Sequence, residues 1–292
     1  MLRRSLLGHA LALSTLGASV LLAGCPREGA ITLAEARDAL AEAALASDAE
    51  NLVTSSVELT TDFTIGGALE AAAEEIRAFV EAQLPCAEVV VSGASLRVTY
   101  GAKPGNCSYR GHTYSGTHTI AVSKAEPGEI LVQHEWEAFS NGRVEVSGQA
   151  DVTWSLDAGS RRVVHELEWT RLSDGKSATG SGDRTQSPLG GDWASGVVVD
   201  GERAWSGSAG DWDLQIDGVE ARWADPVPQS GAYVLITPKG RQLTLSFRRL
   251  DEDRIEVTLE GGGREFRFSV GRLGVITTLD DGGSAGSDDD DD

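Results

Sequence analysis

Two stretches carry the residues best suited to acid–base chemistry, His134-Glu135-Trp136-Glu137 and His165-Glu166-Leu167-Glu168-Trp169. On an extended chain alternate side chains share a face. His134 then stands beside Trp136, and Glu135 beside Glu137. Carboxylates at that spacing come close enough to share a proton or a cation, as a carboxylate-based hydrolase requires. The competing reading is a solvated acidic face with a histidine at the edge of the dry side. The same acidic alternation on many other segments favours it. Neither stretch has the His-Glu-x-x-His spacing of a zinc site. Gly282-Gly283-Ser284-Ala285-Gly286 fits Gly-x-Ser-x-Gly, yet it lacks the preceding strand and following helix of a nucleophile elbow. Asp211, Asp213, Asp217 and Gly218 miss the spacing of a calcium loop. The sequence therefore assigns no catalytic residue, no metal ligand and no cofactor.

Three cysteines remain to be placed. Cys25 ends Leu22-Ala23-Gly24-Cys25, which follows the positive Arg3-Arg4 and the apolar run Ser5–Val20. Charged, apolar and small-residue segments in that order read as a signal peptide. The apolar run is short for a membrane span. The tetrapeptide resembles the lipobox of bacterial lipoproteins. That resemblance implies a diacylglycerol on the Cys25 thiol, cleavage before Cys25 and acylation of the new amine. Residues 1–24 would be removed, and residues 25–31 would form a lipidated tether. Acylation at two positions anchors far more firmly than a single chain. The membrane is then a partner through the lipid on Cys25, and the protein belongs to the cell envelope. Pro26, where an Asp would retain a lipoprotein at the inner membrane, favours the outer membrane. Arg3-Arg4-Ser5-Leu6-Leu7 matches a twin-arginine signal only in part, so the general export route is preferred.

Cys86 and Cys107 are an even pair in an exported chain, which reads as a disulfide. Such a bond closes a loop of about 20 residues and is worth about 3 kcal/mol in the chain-entropy picture. His112 and His118 lie nearby but match no zinc spacing.

Charge excludes one class of partner. The chain has 25 Lys+Arg against 45 Asp+Glu, a net charge of −20, and nucleic-acid binding needs clustered cations. Residues 280–292 combine Gly and Ser with Asp280, Asp281 and the run Asp288–Asp292. This composition buries no apolar surface and predicts a disordered acidic tail.

The positioning elements are set by periodicity. Thr32 and Glu35 form a capping box for a helix to about Asp48, with Leu33, Ala36, Leu40 and Ala44 on one face. Val57, Leu59, Thr61, Phe63 and Ile65 alternate with polar residues and read as a strand. Ala68–Leu84 reads as a second helix, with a stripe of Leu69, Ala72, Ala73, Ile76, Phe79 and Val80, stopped by Pro85. From Val89 the period becomes two, as in Val163, His165, Leu167 and Trp169, or Leu243, Leu245 and Phe247. One dry and one charged face per segment marks antiparallel strands buried on one side, eleven or so in all. Asn141-Gly142 and Asp174-Gly175 are hairpin turns. The segment Trp136–Arg143 parallels Trp169–Lys176, 33 residues on. Between a solenoid and two long hairpins of a meander, the hairpin length favours the meander. Gly116, Gly148, Gly182 and Gly207 fall within strands and suggest bulges or bends that curl the sheet.

Residues 32–279 thus form a single mainly β domain. It is a large curved antiparallel meander, half-barrel or barrel-like, with two N-terminal amphipathic helices packed on it. Val98-Thr99-Tyr100-Gly101, Cys107, Gly111–Ile120 and Pro228–Val234 loosely resemble segments of uncharacterised β-rich lipoproteins of the myxobacterial type. That resemblance implies a sheet topology and no activity. Trp136, Trp154 and Trp169 fall on dry faces, where they either pack against the helices or line a pocket for an apolar ligand. The leading expectation is a non-catalytic binding or structural module that meets an envelope protein or an apolar ligand. A half-barrel carrier of lipid is the alternative, by fold analogy. A hydrolase using Glu135 and Glu137 is the second alternative.

Overall fold

The computed structural model describes residues 29–60, 69–109, 112–155, 157–222, 227–271 and 275–280. Cys25, the signal segment and the acidic tail beyond Asp280 lie outside the described residues. Helix α1 is Leu33–Leu59 and helix α2 is Leu69–Gln83. The strands are β1 (Glu88–Ser92), β2 (Ser95–Tyr100), β3 (Ser108–Tyr109), β4 (His112–Thr113), β5 (Ser115–Lys124), β6 (Glu129–Ser140), β7 (Val144–Ser155) and β8 (Ser160–Arg171). They continue as β9 (Ser177–Pro188), β10 (Val197–Gly207), β11 (Gly210–Ala221), β12 (Pro228–Ile236), β13 (Gln242–Arg249), β14 (Arg254–Gly261), β15 (Arg264–Gly271) and β16 (Ile276–Asp280).

Fourteen strands form one antiparallel sheet in which every strand pairs with its sequence neighbours, and β3 and β4 make a separate small hairpin. The meander is therefore the right topology, with more strands than the eleven read from periodicity. Edges β1 and β16 do not meet, so the sheet is open. Asp280, assigned to the tail by composition, pairs with Arg267 at the end of β16.

The alternation is literal. On β8, Arg161, Val163, His165, Leu167 and Trp169 are buried, while Arg162, Val164, Glu166 and Glu168 are exposed. At the hairpin tips, the Asn141 side chain accepts from the backbone N–H groups of Arg143 and Val144. The turn between β8 and β9 is held by Asp174, which accepts from the Lys176 N–H.

Helix α1 departs from the sequence reading. The capping box is present: Thr32 Oγ1 accepts from Glu35 N, and Glu35 accepts from Thr32 N. The helix, however, runs to Leu59 and takes in the start of the segment read as a strand; residues 61–65 of that segment lie outside the described residues. The physical reason is that Leu52, Val53, Ser56, Val57 and Thr60 keep three- and four-residue spacing and are all buried. Helix α2 matches its predicted stripe, with Ala72, Ala73, Ile76 and Val80 buried and Leu69 and Phe79 half-buried. Its C-terminal end is stapled by the Cys86–Cys107 disulfide, whose Cα atoms are 5.3 Å apart.

One helix reaches most of the sheet, and this shows that the sheet curls. Ser56 accepts from Trp136 on β6, while Arg37 donates to Thr278 on β16. Those two positions are about 28 Å apart along a helix. Flat strands from β6 to β16 would span about 48 Å. The sheet must wrap α1 to close the difference. The mid-strand glycines contribute in different ways. Gly116 adopts φ 89° at an irregularity in the β5–β6 register, and a Cβ there would sit 2.1 Å from the Ala138 carbonyl oxygen. Gly182 is no bend: it pairs with His165, and its missing Cβ is the space the imidazole occupies. Gly207 lies at the β10–β11 hairpin end, opposite Gly210.

Gly182→Ala places a methyl 2.3 Å from His165 Cε1, so overpacking should destabilise the fold by about 1–3 kcal/mol. Urea unfolding checks this; a change below about 0.5 kcal/mol would show that the slot is not tight.

Candidate ligand-binding site

The concave face of the sheet carries an unusual number of polar groups. His118 and His134 come from β5 and β6, Arg161 and His165 from β8, Arg184 and Gln186 from β9, and Arg203 from β10. All are buried. Such groups are tolerated inside only where partners meet them. Helix α1 supplies the partners. Glu50 accepts from His165 Nε2 at 2.6 Å and pairs with Arg184 Nη1 at 2.7 Å. Glu58 pairs with Arg161, whose Nε also donates to Gln186 Oε1 at 2.6 Å. Ser47 accepts from Arg203 Nη2 at 3.0 Å.

Electrostatics follow the contacts. Burial alone would raise the Glu50 carboxyl, but Arg184, His165 and Arg203 together outweigh it and hold the group well below the usual carboxylate range. His118 Nε2 and His134 Nδ1 are 2.9 Å apart and share one proton between two neutral rings. Burial, with the neighbouring imidazole, holds His118 well below its ordinary value. Burial, with Arg161, lowers His134 to about 3.

The three tryptophans, read either as packing against the helices or as lining a pocket, are buried among packed neighbours. The Trp136 indole donates to Ser56 Oγ at 3.0 Å and stacks on His118 and His134. Trp154 meets the Arg161 guanidinium 5.0 Å from its ring centroid and leans on Trp193. Trp169 packs against Gly180, and none of the three borders the cavity beneath α1. Glu135 and Glu137 stand on the exposed face, where Arg97 pairs with Glu137 at 3.2 Å. No cleft gathers them. Among the described residues, no cluster of three or more His, Cys, Asp or Glu could hold a metal.

The open space lies further along the sheet. Beneath α1, a cavity of about 270 Å³ is bordered by Ala43, Ala44 and Ser47 of the helix. Opposite them stand Leu245, Phe247, Ile255 and Val257 of β13 and β14, with Tyr233 of β12 and Val199 of β10. Tyr233, Phe247 and Val199 are only half-buried, so the cavity has a mouth. Arg184, Gln186, Arg203 and Glu50 border the same cavity and form its polar end. Over β6–β8 the helix meets Trp136, Arg161 and His165, and the open space borders β9–β15.

Sequence reasoning placed Leu243, Leu245 and Phe247 on a dry face but missed the arginines. Strand β9 has almost no apolar alternation, since its inward positions are Ala178, Gly180, Gly182, Arg184 and Gln186. Period-two counting from His165 across the β8–β9 register would have put Arg184 inside.

Stability should fall on acidification below about pH 6.5. The imidazoles of His118 and His134 stay neutral in the fold and gain protons once unfolded, so the unfolded chain binds more protons between about 6.5 and their depressed folded values. Each histidine then contributes up to about 1.4 kcal/mol per pH unit. Glu50 adds a further loss at lower pH, as it titrates through its depressed folded value. Denaturation midpoints at pH 7, 6 and 5 measure the slope, which the double variant His118→Phe/His134→Leu should flatten; an unchanged slope would contradict the assignment. Comparisons with protein families, curated proteins and solved structures return no match, so the functional reading rests on the geometry above.

Proposed function

We propose that the protein is a non-catalytic binding module of the bacterial cell envelope, anchored through lipid on Cys25, whose open groove holds an apolar ligand. The observation that carries this reading is the cavity of about 270 Å³ beneath α1, whose wall on β13 and β14 is apolar and whose remainder carries Asp48, Glu50, His112 and several arginines. Its volume is close to the lower end of small-molecule sites, about 300–1,000 Å³. Aliphatic walls and a partly exposed Tyr233–Phe247 pair, 4.8 Å between centroids, suit a hydrocarbon rather than a sugar. A catalytic reading finds less support, because Glu135 and Glu137 are solvated and stand apart from the cavity.

The carrier reading differs only in the step after binding. A carrier must release its ligand to a second site, and the open mouth beside Tyr233 and Phe247 supplies a route for that. The outer membrane remains the preferred location, on the strength of Pro26.

Native mass spectrometry of the chain from Pro26 onward, with Cys86 and Cys107 oxidised, tests the proposal. Every described residue lies within that chain. A retained mass of lipid size is expected, and Val257→Trp, which fills the cavity, should abolish it. A clean apo mass together with no binding of an added environment-sensitive apolar dye would overturn the reading.

A further inference from the structure

The concave face has more buried cations than buried anions near the cavity. Arg161 is matched by Glu58, and Arg184 by Glu50. One Glu50 oxygen accepts from His165, and the other lies 2.7 Å from Arg184 Nη1 as an ion pair without a hydrogen bond. Arg203 is 5% exposed and has no carboxylate within 4 Å among the described residues. Its only described hydrogen bond is to the Ser47 hydroxyl, and its guanidinium lies 5.3 Å from the Tyr233 ring centroid. Its Nε donates to nothing among the described residues. A buried guanidinium whose coupled carboxylate, Glu50, lies beyond 4 Å and is already paired with Arg184 is costly, because a hydroxyl and an aromatic face replace only part of its hydration. Arg203 borders the cavity, and the wall on β13 and β14, formed by Leu245, Phe247, Ile255 and Val257, is apolar. The incompletely paired guanidinium and the apolar wall of the cavity therefore adjoin.

Resting on the reading of the groove as a ligand site, we propose that it takes a single-chain amphiphile with an anionic head, a long-chain carboxylate. The carboxylate pairs with Arg203 and fills its vacant donors. The alkyl chain runs past Tyr233 between α1 and Leu245, Phe247 and Val257. Planar guanidinium donors match a carboxylate in a paired geometry that an ammonium cannot reproduce. One chain is the appropriate size, since the volume lies at the small end of ligand sites and leaves no room for a second.

The test uses the full chain in isolated envelope membranes and two photoreactive probes, a hexadecanoic acid and a hexadecanol with the same mid-chain diazirine. After irradiation, labelled peptides are mapped by mass spectrometry. The acid should label β12–β14, and the alcohol about tenfold less, the ratio that about 1.4 kcal/mol of head-group pairing gives. Arg203→Gln should bring the acid down to the alcohol's level, while Arg203→Lys keeps part of the preference. Thermal melts and limited proteolysis identify any variant that fails to fold, in which case the acid-to-alcohol ratio of the unaltered chain decides. Equal labelling of β12–β14 by acid and alcohol would overturn the head-group assignment and leave the apolar site standing. Absence of labelling by either probe would overturn both.

Discussion

Glu50 sits in the middle of α1, buried, with an imidazole on one oxygen and a guanidinium near the other. Most features of the molecule depend on that contact. The polar groups on the inner face of β8–β10 could not remain inside without a carboxylate to meet them, and removing one partner of such a pair typically costs about 3–5 kcal/mol. The same contact fixes where α1 lies, and the position of α1 decides how the sheet curls. Ser47, Ser56 and Glu58 place further α1 contacts on β10, β6 and β8. A purely apolar helix could slide or rotate in an open groove; charged contacts at defined registers do not allow this.

That arrangement divides the groove. Over β6–β8 the helix meets Trp136, Arg161 and His165, and the space is filled. Over β10–β14 the helix offers Ala43, Ala44 and Ser47, and a cavity remains beside Arg203. The opposition of a packed half and an open half is what distinguishes this sheet from a closed barrel with a filled core. A rigid packed half holds the open half in shape without ligand, which lowers the ordering cost of binding. Tethering near the N-terminus of α1 would set the domain close to a membrane surface, a source of amphiphiles with hydrocarbon chains.

The sheet was legible because half-burial imposes a period of two, and β7, β8, β13 and β14 display it directly. The capping box at Thr32 and Glu35 announced the start of α1. Its end was hidden because the helix is buried on most sides, and a helix with little polar face shows no clean stripe. The alternation of Val57, Leu59, Thr61, Phe63 and Ile65 then imitated a strand. The cavity was half legible: its aliphatic wall follows from the dry rows of β13 and β14. The arginines were not, because Arg184 and Arg203 occupy inward positions on strands where small or polar residues break the pattern. A charged residue at a dry position reads locally as a break in the strand. It reads as a site only once the carboxylates of a distant helix are placed opposite it. The tryptophans left two readings open for the related reason that a large aromatic group on a dry face fills space as readily as it lines it.

A double-mutant cycle on Glu50→Gln and Arg184→Met, followed by urea unfolding, tests most directly whether the helix is held by its buried charge. Groups in direct contact show coupling of about 0.5–3 kcal/mol. The pairing at 2.7 Å between buried partners predicts coupling at the upper end, about 2 kcal/mol or more. Effects that add to within about 0.5 kcal/mol would contradict the clamp and leave apolar packing alone to hold α1 in the groove.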